Sequence, residues 1–321
     1  MVGALAAAPR KGGRSVIESI TEVLVRIDYL FLLATALRAS TPIVFAALGG
    51  IFSERSGVIN IALEGMMLTS AYVCYKAAVI FNSPWLGLAT GVLSAMVLAL
   101  LHGVISIRYR TNQVVSGTVL NIFAAGITGF LFRVLGAQES APYLPNMNMP
   151  LVRDLPLLGN QPLLTWVMLL MIALTTFVLF RTRWGLRTRA VGELPRAADT
   201  AGVAVNRVRY VNVMIGGMMA GLGGAFFTLH TVSSFTPLMT SGQGFIGLAA
   251  MIFGNWTPLP ALLAAMLFTV PQALAGQFQM FGVPLPYQLI STLPYVLTII
   301  TLAGVVRRST PPAALGVPYV K

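Results

Sequence analysis

The chain has 321 residues, of which 56% are hydrophobic and only 9% charged, with a mean hydropathy of +0.81. A soluble domain carries about 25% charged residues, so this composition excludes one and defines a polytopic membrane protein. The 12 excess positive charges gather at the ends of apolar runs, where orientation in the bilayer accounts for them without a nucleic-acid partner.

One cysteine, Cys74, excludes an internal disulfide, a CxxC redox pair and a cysteine zinc site, and in its apolar run it reads as a buried small hydrophobe. His102 and His230 are far apart with no HExxH around either, so neither metal chemistry nor a cofactor is expected. No catalytic constellation is visible, and the chain is not expected to be an enzyme.

In chain order, residues 1–28 form a basic and amphipathic N-terminal segment, with Val16, Ile20, Val23 and Ile27 at helical spacing against Glu18, Glu22 and Arg26. No cleavable signal peptide is read there. A membrane domain follows over 29–306, and a tail over 307–321. Its apolar runs are Tyr29–Phe52, Val58–Ile80, Trp85–Ile107, Val114–Leu135, Leu163–Phe180, Val208–Val232, Gly244–Phe253, Pro260–Phe281 and Pro286–Val306. At 1.5 Å per residue most of them cross a core of about 30 Å, which predicts an all-α bundle of about eight spans. Gly244–Phe253 is too short to cross alone and reads as a half-helix or a tilted span.

The segment Arg181–Arg209 carries seven of the 21 Lys+Arg and two of the nine acids. A basic island between spans belongs in the cytoplasm. Inside it, Pro195 to Gly202 reads as a short helix, with Pro195 in its first turn, Ala197, Ala198 and Ala201 as helix formers, and Gly202 ending it. Such a small-faced helix suits docking on another protein. The Pro-rich connection 136–161 is placed outside, as a landing surface for an extracytoplasmic partner or as a plain connector.

The orientation holds one conflict. With 181–209 and Arg307/Arg308 inside, Arg108/Arg110 and Glu54-Arg55 also lie inside, and a simple count of spans then leaves the N-terminus outside despite Arg10, Lys11 and Arg14. Two half-helices meeting within 40–70, or a crossing by 16–38, would return it inside.

Four residues are candidates for a solute path. Asn60 and Glu64 are four apart and would share a helix face. Glu64 sits well inside an apolar run, where a charge costs roughly 2.5–3.5 kcal/mol, so it lines a polar path or makes a structural hydrogen bond. Asn121 suits a solute hydroxyl or a neighbouring helix. Gln243, within Ser241-Gly242-Gln243-Gly244, opens a short apolar segment whose free N–H groups suit a solute oxygen, or is part of a plain turn. Gly217/Gly221 and Ala220/Gly224 have small-xxx-small spacing and predict close helix packing.

The stretches TPIVFAALGGIFSERSGVINIALEGMML, GLRTRAVGELPRAADTAGV and GQGFIGLAAMIFGNW together resemble the membrane permease subunits of bacterial ABC importers, in the ribose/simple-sugar and nucleoside group, and are most similar to its nucleoside branch. The likeness runs from about residue 40 to 306. It implies that Arg196-Ala197-Ala198, Gly202 and the preceding Glu193 form an ATPase-coupling helix, with Arg196 where the family motif has Glu. It also implies a separate ATP-hydrolysing subunit, a second and different permease chain, an extracytoplasmic solute-binding protein, and a place in the bacterial cytoplasmic (inner) membrane. The implied mechanism is alternating access, with ATP hydrolysed elsewhere because this chain has no Walker A motif. A neutral nucleoside or simple sugar fits a path edged by amides and hydroxyls. A proton-coupled secondary transporter is the other class considered; only Glu64 speaks for it. A branched-chain amino-acid permease is the nearest relative within the same class.

Overall fold

The computed structural model describes residues 27–136, 140–144, 159, 161–281, 292, 296 and 309–320. These form helices α1 (Tyr29–Arg55), α2 (Leu63–Ile80), α3 (Pro84–Gly103, prolonged by a π turn to Arg108), α4 (Gln113–Leu135) and α5 (Leu163–Arg181). Then come α6 (Arg183–Glu193), α7 (Pro195–Thr200), α8 (Val205–Phe226, prolonged by a π turn to Thr231), α9 (Gln243–Phe253) and α10 (Pro258–Met280). The bundle is all-α, as its sequence predicts.

Local chemistry sets the starts of these helices. Asp28 accepts from the Leu30 and Phe31 N–H groups to open α1, and Asn112 accepts from Val114 and Val115 to open α4. Ser83 followed by Pro84 opens α3. Among the described residues, six helices are long and apolar enough to cross a membrane: α1, α3, α4, α5, α8 and α10. Of their most apolar windows, α8 is 72% and α1 67% buried, against 33–39% for the other four. Helices α1 and α8 are therefore the axis of the bundle; α2, with 12 of its 18 residues buried, lies inside with them, and the other spans wrap around.

The axis is closed by small residues. A Cβ on Gly216 would lie 2.8 Å from the Gly49 carbonyl, and one on Gly221 would lie 2.9 Å from Val92 Cα. Gly217 faces Ala99 and Ala95, and Gly224 faces the Met67 backbone. The predicted small-residue stripe thus packs against three helices at once.

Contacts at the helix ends fix the relative directions. Lys76 at the end of α2 donates to the Leu135 and Gly136 carbonyls at the end of α4. Gln161, just before α5, donates to the Ala34 carbonyl near the start of α1, and the Thr41 hydroxyl midway along α1 meets that of Thr165 at the start of α5. At the opposite end, Arg55 donates to the Asn255 and Trp256 carbonyls, beside the basic connection that contains α6 and α7. This is the end that the positive-inside rule assigns to the cytoplasm; the Ser53–Gly57 break lies at it and Tyr29 at the opposite end.

One span departs from its expected form. Val58–Ile80 is not one helix: α2 begins only at Leu63, and Val58–Ala62 is non-helical. Asn60 therefore does not share a helix face with Glu64. Helix α1 runs unbroken from Tyr29 through Pro42 to Arg55, so residues 40–70 do not form two half-helices of their own. The predicted run Gly244–Phe253 is the short helix α9. The run Pro286–Val306 lies outside the described residues except for Thr292 and Val296, both helical. Residues 1–26 and most of 136–161 lie outside them too.

Candidate functional site

Non-helical backbone at membrane depth must find partners within the protein. For Val58–Ala62 they come from α3, α4 and the end of α1. The Val58 N–H donates to Ser53 O, and Ile59 N–H donates to Gln113 Oε1 at 2.7 Å. The Ile59 carbonyl, 2.9 Å from His102 Nε2, can only accept, so Nε2 carries the proton. Nδ1 of the same ring then accepts from Ser116 Oγ at 3.1 Å. Asn121 clamps the exit from this segment, donating to Ile61 O at 2.9 Å and accepting from Gly65 N at 2.8 Å. His102 and Gln113 carry no sequence signal for this role, because it depends on partners 43 and 54 residues away.

The clamp delivers Glu64 to the start of α9. Its Oε1 accepts from Thr240 Oγ1 at 2.6 Å and Gly242 N at 2.9 Å, and its Oε2 accepts from Gly244 N at 2.6 Å. Those N–H groups belong to the first turn of α9, where a helix leaves donors free and its dipole favours an anion. The carboxylate so held has its charge met by three donors. Helix α9 has 11 residues and spans about 16 Å, which separates Glu64 at its start from the contacts at Trp256 beyond its end.

Glu64, Asn121 and Gln243 come together here, each half-buried. The fourth candidate, Asn60, is fully buried, with its Nδ2 donating to Ser53 Oγ at 3.2 Å. It sits behind the other three, against the α1–α8 contact. Phe245, 46% exposed, stands beside Gln243 on α9 and was not picked out from the sequence.

At the cytoplasmic end, Thr182 caps α6 by accepting from Gly185 N. Pro195 occupies the first turn of α7, and Gly202, at φ +80°, takes a left-handed conformation that ends it. Ala198 is buried with Val191, Val205 and Val208. Glu193, Arg196, Ala197 and Gly202 are exposed, and so is Leu194 at 67%. The expected small-residue helix is thus split: Ala198 anchors it and Ala197 faces out. Leu194, an exposed apolar side chain, stands next to that face; its only sequence signal is a lone Leu beside Pro195.

Residues 309–320 run across this same end. Ala313 N–H donates to Glu193 Oε2 at 3.1 Å, and Ala314 N–H donates to Gly192 O at 2.8 Å. Gly316 N–H donates to Gly57 O, and Thr310 N–H donates to Asn255 Oδ1. Arg209, 1% exposed, joins the segment to the break by donating to Ser56 O and Val317 O. The tail therefore ties α6, the end of α1 and the end of α9 together.

A helical bundle with a polar cluster at the start of a short inner helix, and a short helix displayed from a basic connection, suits a transport permease. Residues 32–302 match the family described as "Branched-chain amino acid transport system / permease component", and the chain belongs to that family. It is 37% identical to the guanosine ABC transporter permease protein NupQ of Bacillus subtilis (strain 168), over 93% of this chain and 98% of that one. It is 38% identical to the nucleoside ABC transporter permease protein NupC of Lactococcus lactis subsp. cremoris (strain MG1363), over 90% and 96%. A lower match, 24% over 74% of this chain and 72% of the relative, is to the guanosine ABC transporter permease protein NupP of the same B. subtilis strain. The chain is the permease component of an ABC importer, a multi-pass protein of the bacterial inner membrane, and its relatives are transporter components rather than enzymes. Its family implies an ATPase partner and a binding protein.

Proposed function

We propose that the chain is one of two different permease subunits of an importer for a neutral nucleoside. The observation that carries this reading is a pairing among relatives. B. subtilis has NupQ at 37% and NupP at 24% identity to this chain, and L. lactis has NupC at 38% and NupB at 23%. In both organisms the chain matches one member of the pair far better, which supports a second, different permease beside it.

In this reading α7 docks on the ATPase through Leu194, Arg196 and Ala197, with Gly202 shaping its end, while Ala198 and Glu193 anchor it to α8 and the tail. The solute passes the half-exposed cluster of Glu64, Asn121 and Gln243. Glu64 and Asn121 spend their strongest hydrogen bonds on the protein, whereas Gln243 Oε1 is buried without a donor among the described residues. Gln243 therefore has capacity left for a solute hydroxyl once the cluster opens, and Asn60 supports the cluster from behind. Arg55, between the α9 carbonyls and α6, carries movement of the docking helix to α9 and so to this cluster. A solute-binding protein delivers the nucleoside from outside.

The test is purification of the tagged protein from its host in mild detergent, followed by reconstitution with what stays bound. An ATPase and a second permease, with ATP-driven uptake of guanosine that ribose does not compete away, are the expected result. Ribose competing as well as guanosine would move the substrate to simple sugars. Recovery of the chain alone, with uptake that follows a proton gradient, would overturn the reading in favour of secondary transport.

A further inference from the structure

A groove of about 630 Å³ opens at the cytoplasmic end between α6, the 202–204 turn and the first three turns of α8. Arg187 and Arg207 line it from two different elements, and both side chains are exposed. Trp184 lines it as well, and its indole Nε1 is buried with no acceptor among the described residues. The remaining wall is Val208, Val211 and Ile215, successive positions along a membrane-spanning helix.

We propose that this groove holds the headgroup of an anionic phospholipid. Two guanidinium groups offer forked donors that match phosphate oxygens. An indole N–H without an acceptor supplies a third donor at the depth where tryptophan favours the membrane interface. The apolar wall continues from the arginines toward the membrane along α8, which suits a ligand with an acyl chain below its phosphate and not a free anion. Basic pockets on the cytoplasmic side of membrane helices have this composition where they bind anionic headgroups. Because α6 and the 202–204 turn flank α7 on both sides, a lipid seated here steadies the docking helix.

The protein is reconstituted in nanodiscs of phosphatidylcholine with a minor share of phosphatidylglycerol, and lipids retained after mild extraction are counted by native mass spectrometry. Phosphatidylglycerol is expected to be retained selectively, and the double variant Arg187→Gln/Arg207→Gln to hold it about 25-fold more weakly, about fivefold per arginine. Trp184→Phe keeps the ring and removes the donor, and is expected to weaken retention without changing the thermal midpoint; it serves as the readout if the double variant fails to fold. Equal retention of both lipids, or retention unchanged in the variants, overturns the proposal. Displacement by inorganic phosphate would show a free-anion site and also overturn it. So would loss of ATPase binding in the double variant with lipid retention intact, since the groove would then be a protein dock.

Discussion

The indole N–H of Trp256 donates to Glu54 Oε2 at 2.7 Å, joining residues 202 positions apart in the chain. Glu54 is 5% exposed and Trp256 3%, so neither group can turn to water instead. The bond fastens the end of α9 to the end of α1, while Glu64 fastens the start of α9. One short helix is thus held at both ends by carboxylates that flank the same non-helical segment.

Trp256→Phe should therefore be costly beyond its small change in volume. It leaves a buried carboxyl without its donor, which costs about 1–3 kcal/mol. The expected result is a lower thermal midpoint in detergent, with Glu54→Gln milder because its amide oxygen still accepts from the indole. A midpoint unchanged in Trp256→Phe would mean that this bond contributes little to holding α9.

Glu64→Gln places an NH2 group where the native oxygen meets N–H and O–H donors. One of the three bonds from Thr240, Gly242 and Gly244 must then become a donor–donor conflict. The start of α9 should loosen, with solute uptake reduced severalfold and the complex still assembled. Hydrogen exchange at the α9 amides checks this directly: faster exchange is expected at Gly242 and Gly244 and not at the far end of the helix.

The membrane class, the small-residue stripe, the short apolar helix at Gly244–Phe253 and the short helix after Pro195 were all legible in the sequence, because each rests on local composition or spacing. The Asn60–Glu64 face was not. Residues 58–62 have the apolar content of a helix, but their backbone bonds go to His102, Gln113 and Asn121 on remote elements, and no local pattern encodes that choice. Asn121 looked equally suited to a solute or a neighbour until Ile61 O and Gly65 N were seen to occupy both sides of its amide. The tail was legible only as a short segment after the last apolar run, since its contacts are bonds from its backbone N–H groups to Gly57, Gly192 and Glu193.

Gly316→Val tests the tail. Gly316 has φ +77°, which a β-branched residue resists, and a Cβ there would lie 2.8 Å from Ile59 Cδ1. The side chain should lift residues 313–317 away from Gly57 and Gly192 while leaving the bundle intact. ATP hydrolysis by the assembled complex is expected to respond less to solute, measured as the ratio of hydrolysis with and without binding protein and nucleoside. A ratio equal to that of the unaltered protein would show that the tail only covers the surface.

Docking divides by face. Ala198 is 5% exposed and packs on Val205 and Val208, so Ala198→Glu drives a charge into that contact and should collapse the loop along with coupling. Leu194 is 67% exposed and its side chain supports nothing inside the chain. Leu194→Asp should leave the thermal midpoint in detergent unchanged yet weaken association with the ATPase by about tenfold or more, as removal of a central apolar anchor does. Titration of the purified ATPase against the permease in detergent reads both quantities on one sample. Tight binding by Leu194→Asp would move the docking surface off this end of α7 and onto the Arg196 and Ala197 side alone.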